Sequence, residues 1–322
     1  LQGLTDFTVK IKSATGEVER FRYAVNNVGD DQNPILEYNL TNINVIKGIL
    51  EKHGFSFSKG LGQNFLINPD ICPRIAEMGN AQKGFGILEI GTGIGTLTAE
   101  LAKRADKVTA VEIDTRLLPI LDETLSEFKN IKVINEDILK CDVNSLIEKE
   151  FQGLDVAVCA NLPYYITSPI IMMLLENNLP IRSITVMVQK EAAQRLCAKV
   201  GTRESGAITV GVNYYGTVKK LFDVSRGSFM PSPNVDSAVI RIDINNEGKL
   251  DEETEKLFFS IVKNGFSQRR KTLANALTNK MNISKDTVFN AFDDINAEKS
   301  VRIEQLTMEQ LKKLAYSIKN NP

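Results

Sequence analysis

The chain has 322 residues, 43% hydrophobic and 25% charged, with a net charge of −1 at pH 7. That is ordinary globular composition, and the length suits two domains and a sizeable core without cross-links. One histidine, His53, argues against Ser-His-Asp, Cys-His and multi-histidine metal chemistry, and the four cysteines, with no C-x-x-C pair, argue against zinc ribbons and dithiol redox motifs.

Cys72, Cys141, Cys159 and Cys197 read as reduced, mostly buried thiols of a cytoplasmic protein. His53 reads as a surface residue near a helix end. The longest apolar run, 170–175, falls far short of the roughly 18 residues that span a membrane, and reads as one buried helix face. No basic start followed by an apolar run marks a secretion signal. The net charge does not decide for or against a nucleic-acid partner, because the positive surface that RNA requires is local.

Residues 7–12 and 17–23 alternate apolar and polar positions around Ala14-Thr-Gly-Glu, the pattern of a β-hairpin. A polar stretch over 26–34 follows. Residues 1–44 differ in character from the rest, are expected to be an appended segment, and are assigned no chemistry. From Val45 helices and strands alternate. Asn68-Pro69 predicts a helix start, and Gly79 its end. Strands are expected at 86–90, 107–112, 132–135, 154–160 and 183–188, with helices at 96–104, 115–128, 170–177 and from Lys190. Apolar strands interleaved with helices predict a parallel sheet covered on both faces. Two further strands, near 218–224 and 237–244, lack an intervening helix and are expected to pair antiparallel at one edge. After Gly248 only helical patterns remain, near 252–265, 270–280, 285–292 and 307–318. The expected division is an atypical segment over 1–44, an α/β domain over 45–246 and a small all-helical domain over 247–322.

The first strand runs into Glu89-Ile-Gly91-Thr-Gly93-Ile-Gly95, which opens a helix. Glycines let a backbone turn sharply and approach a ligand. The spacing G-x-G-x-G, rather than the G-x-G-x-x-G of pyrophosphate binders, favours a cofactor without pyrophosphate, such as S-adenosylmethionine. Glu112 ends the second strand, 21 residues after Gly91, where a carboxylate accepts from both ribose hydroxyls. Asp137 ends the third, where a carboxylate accepts from an adenine amine while Ile138 packs on the ring. Ile113, next to Glu112, joins the same candidate set. Each acid alone reads more readily as a solvated strand-end charge. A glycine turn, a Glu and an Asp on three consecutive strand ends read as a ligand site.

The fourth strand ends in Asn161-Leu162-Pro163-Tyr164, of the Asn/Asp-Pro-Pro-Tyr type found in amino-methyltransferases. The lone pair of an aromatic amine is delocalised into its ring and is a poor nucleophile. An Asn side-chain carbonyl and the Leu162 backbone carbonyl would accept both amine protons and aim the lone pair at a methyl group. Pro163 stiffens the turn, and Tyr164 offers a face for the base. No strong general base is required, which agrees with the single histidine. The base must leave its stack to enter. Phe229, on the proline-stiffened loop Phe229-Met-Pro-Ser-Pro-Asn, is a candidate second stacking wall, although alone it reads more readily as core.

With these residues in hand, the chain resembles the bacterial ribosomal-RNA adenine dimethyltransferases, the kasugamycin-sensitivity enzymes, from about Val45 to the C-terminus. The resemblance rests on Lys59-Gly-Leu-Gly-Gln-Asn-Phe-Leu66, Glu89-Ile-Gly-Thr-Gly, Asn161-Leu-Pro-Tyr-Tyr-Ile-Thr-Ser-Pro169, Phe229-Met-Pro-Ser-Pro-Asn-Val-Asp-Ser-Ala238 and Phe266-Ser-Gln-Arg-Arg-Lys-Thr-Leu273. It implies a Rossmann-like S-adenosylmethionine-dependent methyltransferase domain followed by a helical rRNA-binding domain. It implies two adjacent adenosines in the 3′-terminal hairpin of 16S rRNA, each methylated twice within an immature 30S subunit. It further implies that Asn64 and Leu66 touch the cofactor together with Gly91, Glu112, Asp137 and Asn161. Residues 1–44 match nothing in the family, and Tyr165 stands where relatives often carry Asn.

RNA contacts are expected from Lys59, Lys190, Arg195, Lys199, Arg203, Arg269, Arg270 and Lys271, as phosphate contacts that position RNA without reading bases. Each such cluster also reads as a plain solvated face. A monomer with no metal and no membrane association is expected. Two rival readings remain: an adenine methyltransferase of large-subunit rRNA conferring macrolide-type resistance, whose members usually read Asn-Ile-Pro-Tyr-Asn, and a protein whose main role is binding immature small subunits during assembly. A DNA adenine methyltransferase is a weaker rival, because a target-recognition domain and Pro at the second motif position are missing.

Overall fold

Seven strands make one sheet, and their order decides where a ligand can sit. The computed structural model describes residues 5–12, 18–25, 38–245 and 247–320, with the backbone alone for the first two segments and for Lys59. In chain order the elements are β1 (Thr5–Lys12), β2 (Val18–Val25), α1 (Ile43–Lys52), β3 (Phe65–Leu66), α2 (Ile71–Met78), β4 (Phe85–Ile90), α3 (Thr96–Ala102), β5 (Lys107–Glu112), α4 (Leu118–Thr124), β6 (Ile131–Asn135), α5 (Val143–Glu150), β7 (Asp155–Asn161), α6 (Thr167–Glu176), β8 (Ser183–Gln189), α7 (Lys190–Leu196), α8 (Ala207–Tyr215), β9 (Gly216–Val224), β10 (Phe229–Met230), β11 (Ser237–Ile244), α9 (Glu252–Ser267), α10 (Leu273–Met281), α11 (Lys285–Asp294) and α12 (Met308–Asn320).

The large sheet runs β6-β5-β4-β7-β8-β11-β9. Its first five strands are parallel, and β11 is antiparallel to both β8 and β9. The chain starts the sheet at β4, builds outward through β5 to β6, then returns to lay β7 on the other side of β4. The crevice at that reversal, outside the carboxyl ends of β4, β5 and β7, is where open α/β sheets bind ligands. The interior strands are apolar on both faces because helices cover both faces: Ile87, Leu88, Val158 and Val186 are fully buried. Each such side chain contributes about 1.5–3 kcal/mol.

The expected hairpin is present in backbone terms, with β1 and β2 pairing antiparallel in the register Phe7↔Tyr23. Its connecting residues and the polar stretch over 26–34 lie outside the described residues. The expected helix at Asn68-Pro69 starts slightly later: Asn68 accepts the Asp70 N–H with its side chain, and α2 begins at Ile71 and is closed by Gly79. The helix expected over 115–128 is a 3₁₀ turn, Thr115–Leu117, followed by the short α4.

Neither α5 nor α8 is among the expected helices. The first is capped by Asp142, whose carboxylate accepts the Ser145 N–H at 3.1 Å. The second, Ala-Ile-Thr-Val-Gly-Val-Asn-Tyr-Tyr, has strand-like residues but is buried on most sides between α6, α7 and α9, and burial overrides propensity. The buried apolar cluster continues across the expected boundary at 246/247. The Tyr214 ring lies 5.0 Å from Phe258, Tyr215 stacks on Phe259 at 5.6 Å, and both phenols donate to Glu255 at 2.9 and 3.0 Å.

All four cysteines are unbridged, Cys72 and Cys159 buried and the other two half-buried. His53 caps α1 and meets Glu123 at 2.8 Å. Among the described residues no helix is long and apolar enough to cross a membrane, and no group of His, Cys, Asp and Glu is arranged to hold a metal.

Candidate active site

The turn after β4 is left-handed at Gly91, Gly93 and Gly95, with φ of +76°, +56° and +91°. Only glycine adopts such backbone at little cost. At Gly93 an added Cβ would also lie 3.1 Å from Phe65 Cδ1, so a ring from β3 rests on the turn.

Glu112 at the end of β5 ties this turn down. Its Oε2 accepts the Thr92 N–H (2.9 Å), the Thr92 hydroxyl (3.0 Å) and the Gly93 N–H (3.3 Å), while Oε1 accepts the Asp114 N–H (2.9 Å). The carboxylate therefore already braces two strand ends, and Oε1 keeps lone-pair capacity for a ligand donor. Asp137 is half-buried beyond β6, accepting the Leu139 N–H at 3.1 Å. Beside it Ile138 is buried, and Ile113 is 52% exposed. This pair of apolar surfaces between two carboxylates suits a purine with a ribose on one side.

Glu89 opens the glycine motif, two residues before Gly91. It is fully buried, and neither carboxylate oxygen has a hydrogen-bond partner among the described residues. Burial pushes its carboxyl up to about 8; the Thr98 hydroxyl beside it works against that rise and the Glu112 charge adds to it. An orphaned buried carboxyl at a ligand cavity requires a partner.

These groups line one cavity of about 1080 Å³ counted to its open mouth, together with Leu61 to Leu66 and the turn after β7. Among the described residues four acidic side chains line it (Glu89, Glu112, Glu136 and Asp137) and no lysine or arginine does. A polyphosphate would find no cationic partner there. A ligand carrying positive charge, a ribose and an adenine fits the donor set, and S-adenosylmethionine is such a ligand.

At the end of β7, Asn161 donates its side-chain N–H to the Asn64 carbonyl at 3.3 Å. Among the described residues its Oδ1 has no partner. Leu162 is buried, its N–H donating to the Met187 carbonyl of β8 at 3.3 Å. Pro163 directs the turn into a 3₁₀ segment, Tyr164–Ile166, whose Ile166 N–H returns to the Pro163 carbonyl at 3.2 Å. The Tyr164 phenol is 2.7 Å from the Ser237 hydroxyl at the start of β11, and burial pushes its pKa up. Ser237 thereby fixes the ring, a role no local pattern announced. Tyr165 is 60% exposed at the cavity mouth.

Phe229 does not stand where expected. It is 3% exposed, pairs in backbone register with Leu66, and packs in the apolar cluster with Ile71, Cys72 and Phe222 rather than lining the cavity. The wall at that side is formed by Phe65 and Leu66.

The expected RNA-binding residues divide. Arg195, Lys199, Arg203, Arg270 and Lys271 are exposed. Lys190 is half-buried and 3.6 Å from Asp223. Arg269 is engaged internally: its guanidinium donates to the Arg203 carbonyl and lies 3.8 Å from Glu304. The side chain of Lys59 lies outside the described residues.

The family model for ribosomal RNA adenine dimethylase matches residues 54–320. A protein of Alkaliphilus oremlandii named ribosomal RNA small subunit methyltransferase A is 48% identical over 273 residues, covering 84% of this chain and 95% of its own. Two solved structures are also similar: a dimethyladenosine transferase from Plasmodium falciparum (26% identity, TM-score 0.65, covering 80% of this chain and 98% of its own) and a 23S rRNA methyltransferase (30% identity, TM-score 0.62, covering 80% and 100%).

Proposed function

This chain belongs to the ribosomal RNA adenine dimethylase family, and on that premise we propose that it methylates, twice each, the exocyclic N6 of two adjacent adenosines in the 3′-terminal hairpin of 16S rRNA. It is an S-adenosylmethionine-dependent rRNA adenine methyltransferase with a Rossmann-like sheet. The observation that carries the reading is the junction of two half-sites: among the described residues, a cavity lined by four acidic side chains and no basic one, opening onto a carboxamide whose oxygen has no partner.

When bound, S-adenosylmethionine supplies an electrophilic methyl group on a sulfonium. Glu112 and Asp137 would hold its ribose and adenine ends, Ile113 and Ile138 would flank the ring, and Glu89 would offer its carboxyl to a cationic group. Asn64, Leu66, Gly91 and Gly93 complete the enclosure. On the substrate side Asn161 Oδ1 and the Leu162 carbonyl accept hydrogen bonds from the two amine N–H groups at the first transfer and from the one that remains at the second, drawing the nitrogen toward tetrahedral geometry, and each transfer releases one proton to solvent. Tyr164 stacks on the base, its phenol moored to Ser237. Leu162 and Ile170, both buried, exclude water, which strengthens these fixed dipoles.

The exposed cations Arg195, Lys199, Arg203, Arg270 and Lys271 bind rRNA phosphates, and the helices after residue 247 form the rRNA-binding part. An immature 30S subunit is the proposed substrate. A large-subunit target is less well supported, since the likeness to the 23S enzyme is 30% against 48% to the small-subunit enzyme. An assembly role is compatible with catalysis and is separated from it by Asn161→Ala.

The test is methyl transfer from labelled S-adenosylmethionine to undermethylated small subunits, followed by nuclease mapping. Dimethyladenosine at two adjacent positions of the 3′ hairpin supports the proposal. Label on large-subunit RNA alone would overturn it.

A further inference from the structure

Residues 61–66 line the cavity, and the segment 55–66 that carries them is held on both sides. Asn64 offers its carbonyl to Asn161 at the end of β7, and its neighbour Gln63 turns the other way, donating from Nε2 to Asp114 Oδ2 at 2.7 Å beyond β5. The Gln63 oxygen accepts the Ser58 N–H at 2.9 Å, so the carboxamide is fixed in one orientation. Asp114 is itself buried. Arg116 donates to its two oxygens at 2.8 and 2.6 Å, and a further Arg116 N–H reaches the Ser56 carbonyl at 3.2 Å, back on the segment. The Asp114 N–H meets Glu112 Oε1. Hydrogen bonding from Arg116 holds the Asp114 carboxyl below its usual range, so it is ionised at neutral pH and accepts strongly from Gln63.

We propose that this segment is a strap across the cofactor cavity latched by the Gln63–Asp114 contact, and that Gln63 and Asp114 are positioning residues that set the Asn161 carboxamide through Asn64. Releasing the latch lets residue 64 move, and the Asn161 amide then loses the carbonyl that fixes which end faces the substrate. The same release opens the cofactor cavity. Occupation of the cavity and orientation of the amine acceptor are thus coupled through two adjacent residues. The proposal rests on the reading of Asn161 as the amine acceptor.

Gln63→Glu keeps the oxygen for Ser58 and sets a carboxylate against Asp114. Gln63→Met keeps the length and removes the donor. Two measurements on the full chain test the latch: S-adenosylhomocysteine affinity by calorimetry, without RNA, and kcat at saturating cofactor on undermethylated small subunits. Both variants are expected to bind S-adenosylhomocysteine about tenfold more weakly, as befits loss of a hydrogen bond to a charged group. Their kcat is expected to fall several-fold while the KM for rRNA and the Tm hold. Unchanged affinity and kcat overturn the proposal. So does a fall in Tm with both intact, which would make the contact merely structural. Weaker binding with unchanged kcat overturns the coupling to Asn161. If wild-type protein methylated no rRNA, the functional reading would fail while the affinity comparison still tested the latch.

Discussion

The Asn161 side chain donates to the Asn64 carbonyl at 3.3 Å, so the orientation of its carboxamide is set from across the cavity. Removing the group and inverting its hydrogen-bonding character should therefore differ. Asn161→Ala is expected to lower kcat by at least about 10²-fold, the scale for one preorganised polar group at a reacting centre. Asn161→Asp keeps an acceptor but places a carboxylate against the Asn64 carbonyl, and is expected to lose cofactor affinity as well as rate. Single-turnover rates with methyl-labelled cofactor check both. Full activity in the Ala variant would remove Asn161 from the mechanism.

Tyr164 separates ring from hydroxyl. Its ring lines the cavity, and its phenol is moored to Ser237 at 2.7 Å. Tyr164→Phe keeps the ring and loses the mooring, at about 0.5–1.5 kcal/mol of stability, and kcat is expected to drop only a few-fold. Tyr164→Ala removes the stacking face, worth about 1–3 kcal/mol per base, and is expected to raise the KM for rRNA steeply while S-adenosylhomocysteine affinity changes little. Equal losses in the two variants would show that the hydroxyl, not the ring, matters.

Glu89 gives a pH signature. Its carboxyl titrates near 4.5 when unfolded and is pushed up to about 8 by burial in the fold. Between those values the folded chain holds a proton the unfolded chain has released. This group's contribution to stability is thus greatest below about pH 4.5, declines as pH rises to about 8, and is level above that. Relative to wild type, Glu89→Gln should gain stability as pH is raised through that window, which denaturant unfolding at several pH values measures. A cationic ligand favours the ionised carboxylate, so S-adenosylmethionine binding at pH 7 should release protons, detected by calorimetry in buffers of differing ionisation enthalpy. Proton release that persists undiminished in Glu89→Gln assigns it to another group.

What was legible in the sequence was whatever repeats locally. Gly91, Glu112, Asp137 and Asn161 each end a strand or open its turn, so periodicity alone places them on one edge of the sheet. Glu89 sits two residues earlier inside an apolar strand, where spacing gives a carboxylate no distinct role; only the orphaned oxygens reveal it. The Gln63–Asp114 contact joins residues 51 apart, and no local pattern carries it. For Phe229 the proline-stiffened loop suggested a stacking wall while the residue alone reads as core, and the pairing of β10 with β3, which no local pattern shows, turns the ring into the core. For α8, the β-branched residues of 207–215 give no helical pattern to read, and burial among three helices makes the segment helical.

The basic face is expected to respond to salt in two ways. Arg270 and Lys271 are exposed and Arg269 is not free, its guanidinium tying the Arg203 carbonyl and Glu304 together. If Arg270 and Lys271 each contact one phosphate, replacing both by Ala should flatten the dependence of log affinity on log salt by roughly 1.4–1.8, at about 0.7–0.9 per contact. Affinity at low salt would fall while kcat at saturating subunits stayed near wild type. Arg269→Ala instead breaks the link between the loop carrying Arg203 and the helical part, so its main effect should be a lower Tm, by a few degrees for each kcal/mol lost, with a smaller change in salt slope. Filter binding of undermethylated small subunits across a salt series, beside thermal unfolding, distinguishes the two. A salt slope unchanged in the double variant would move the RNA contact elsewhere on the surface.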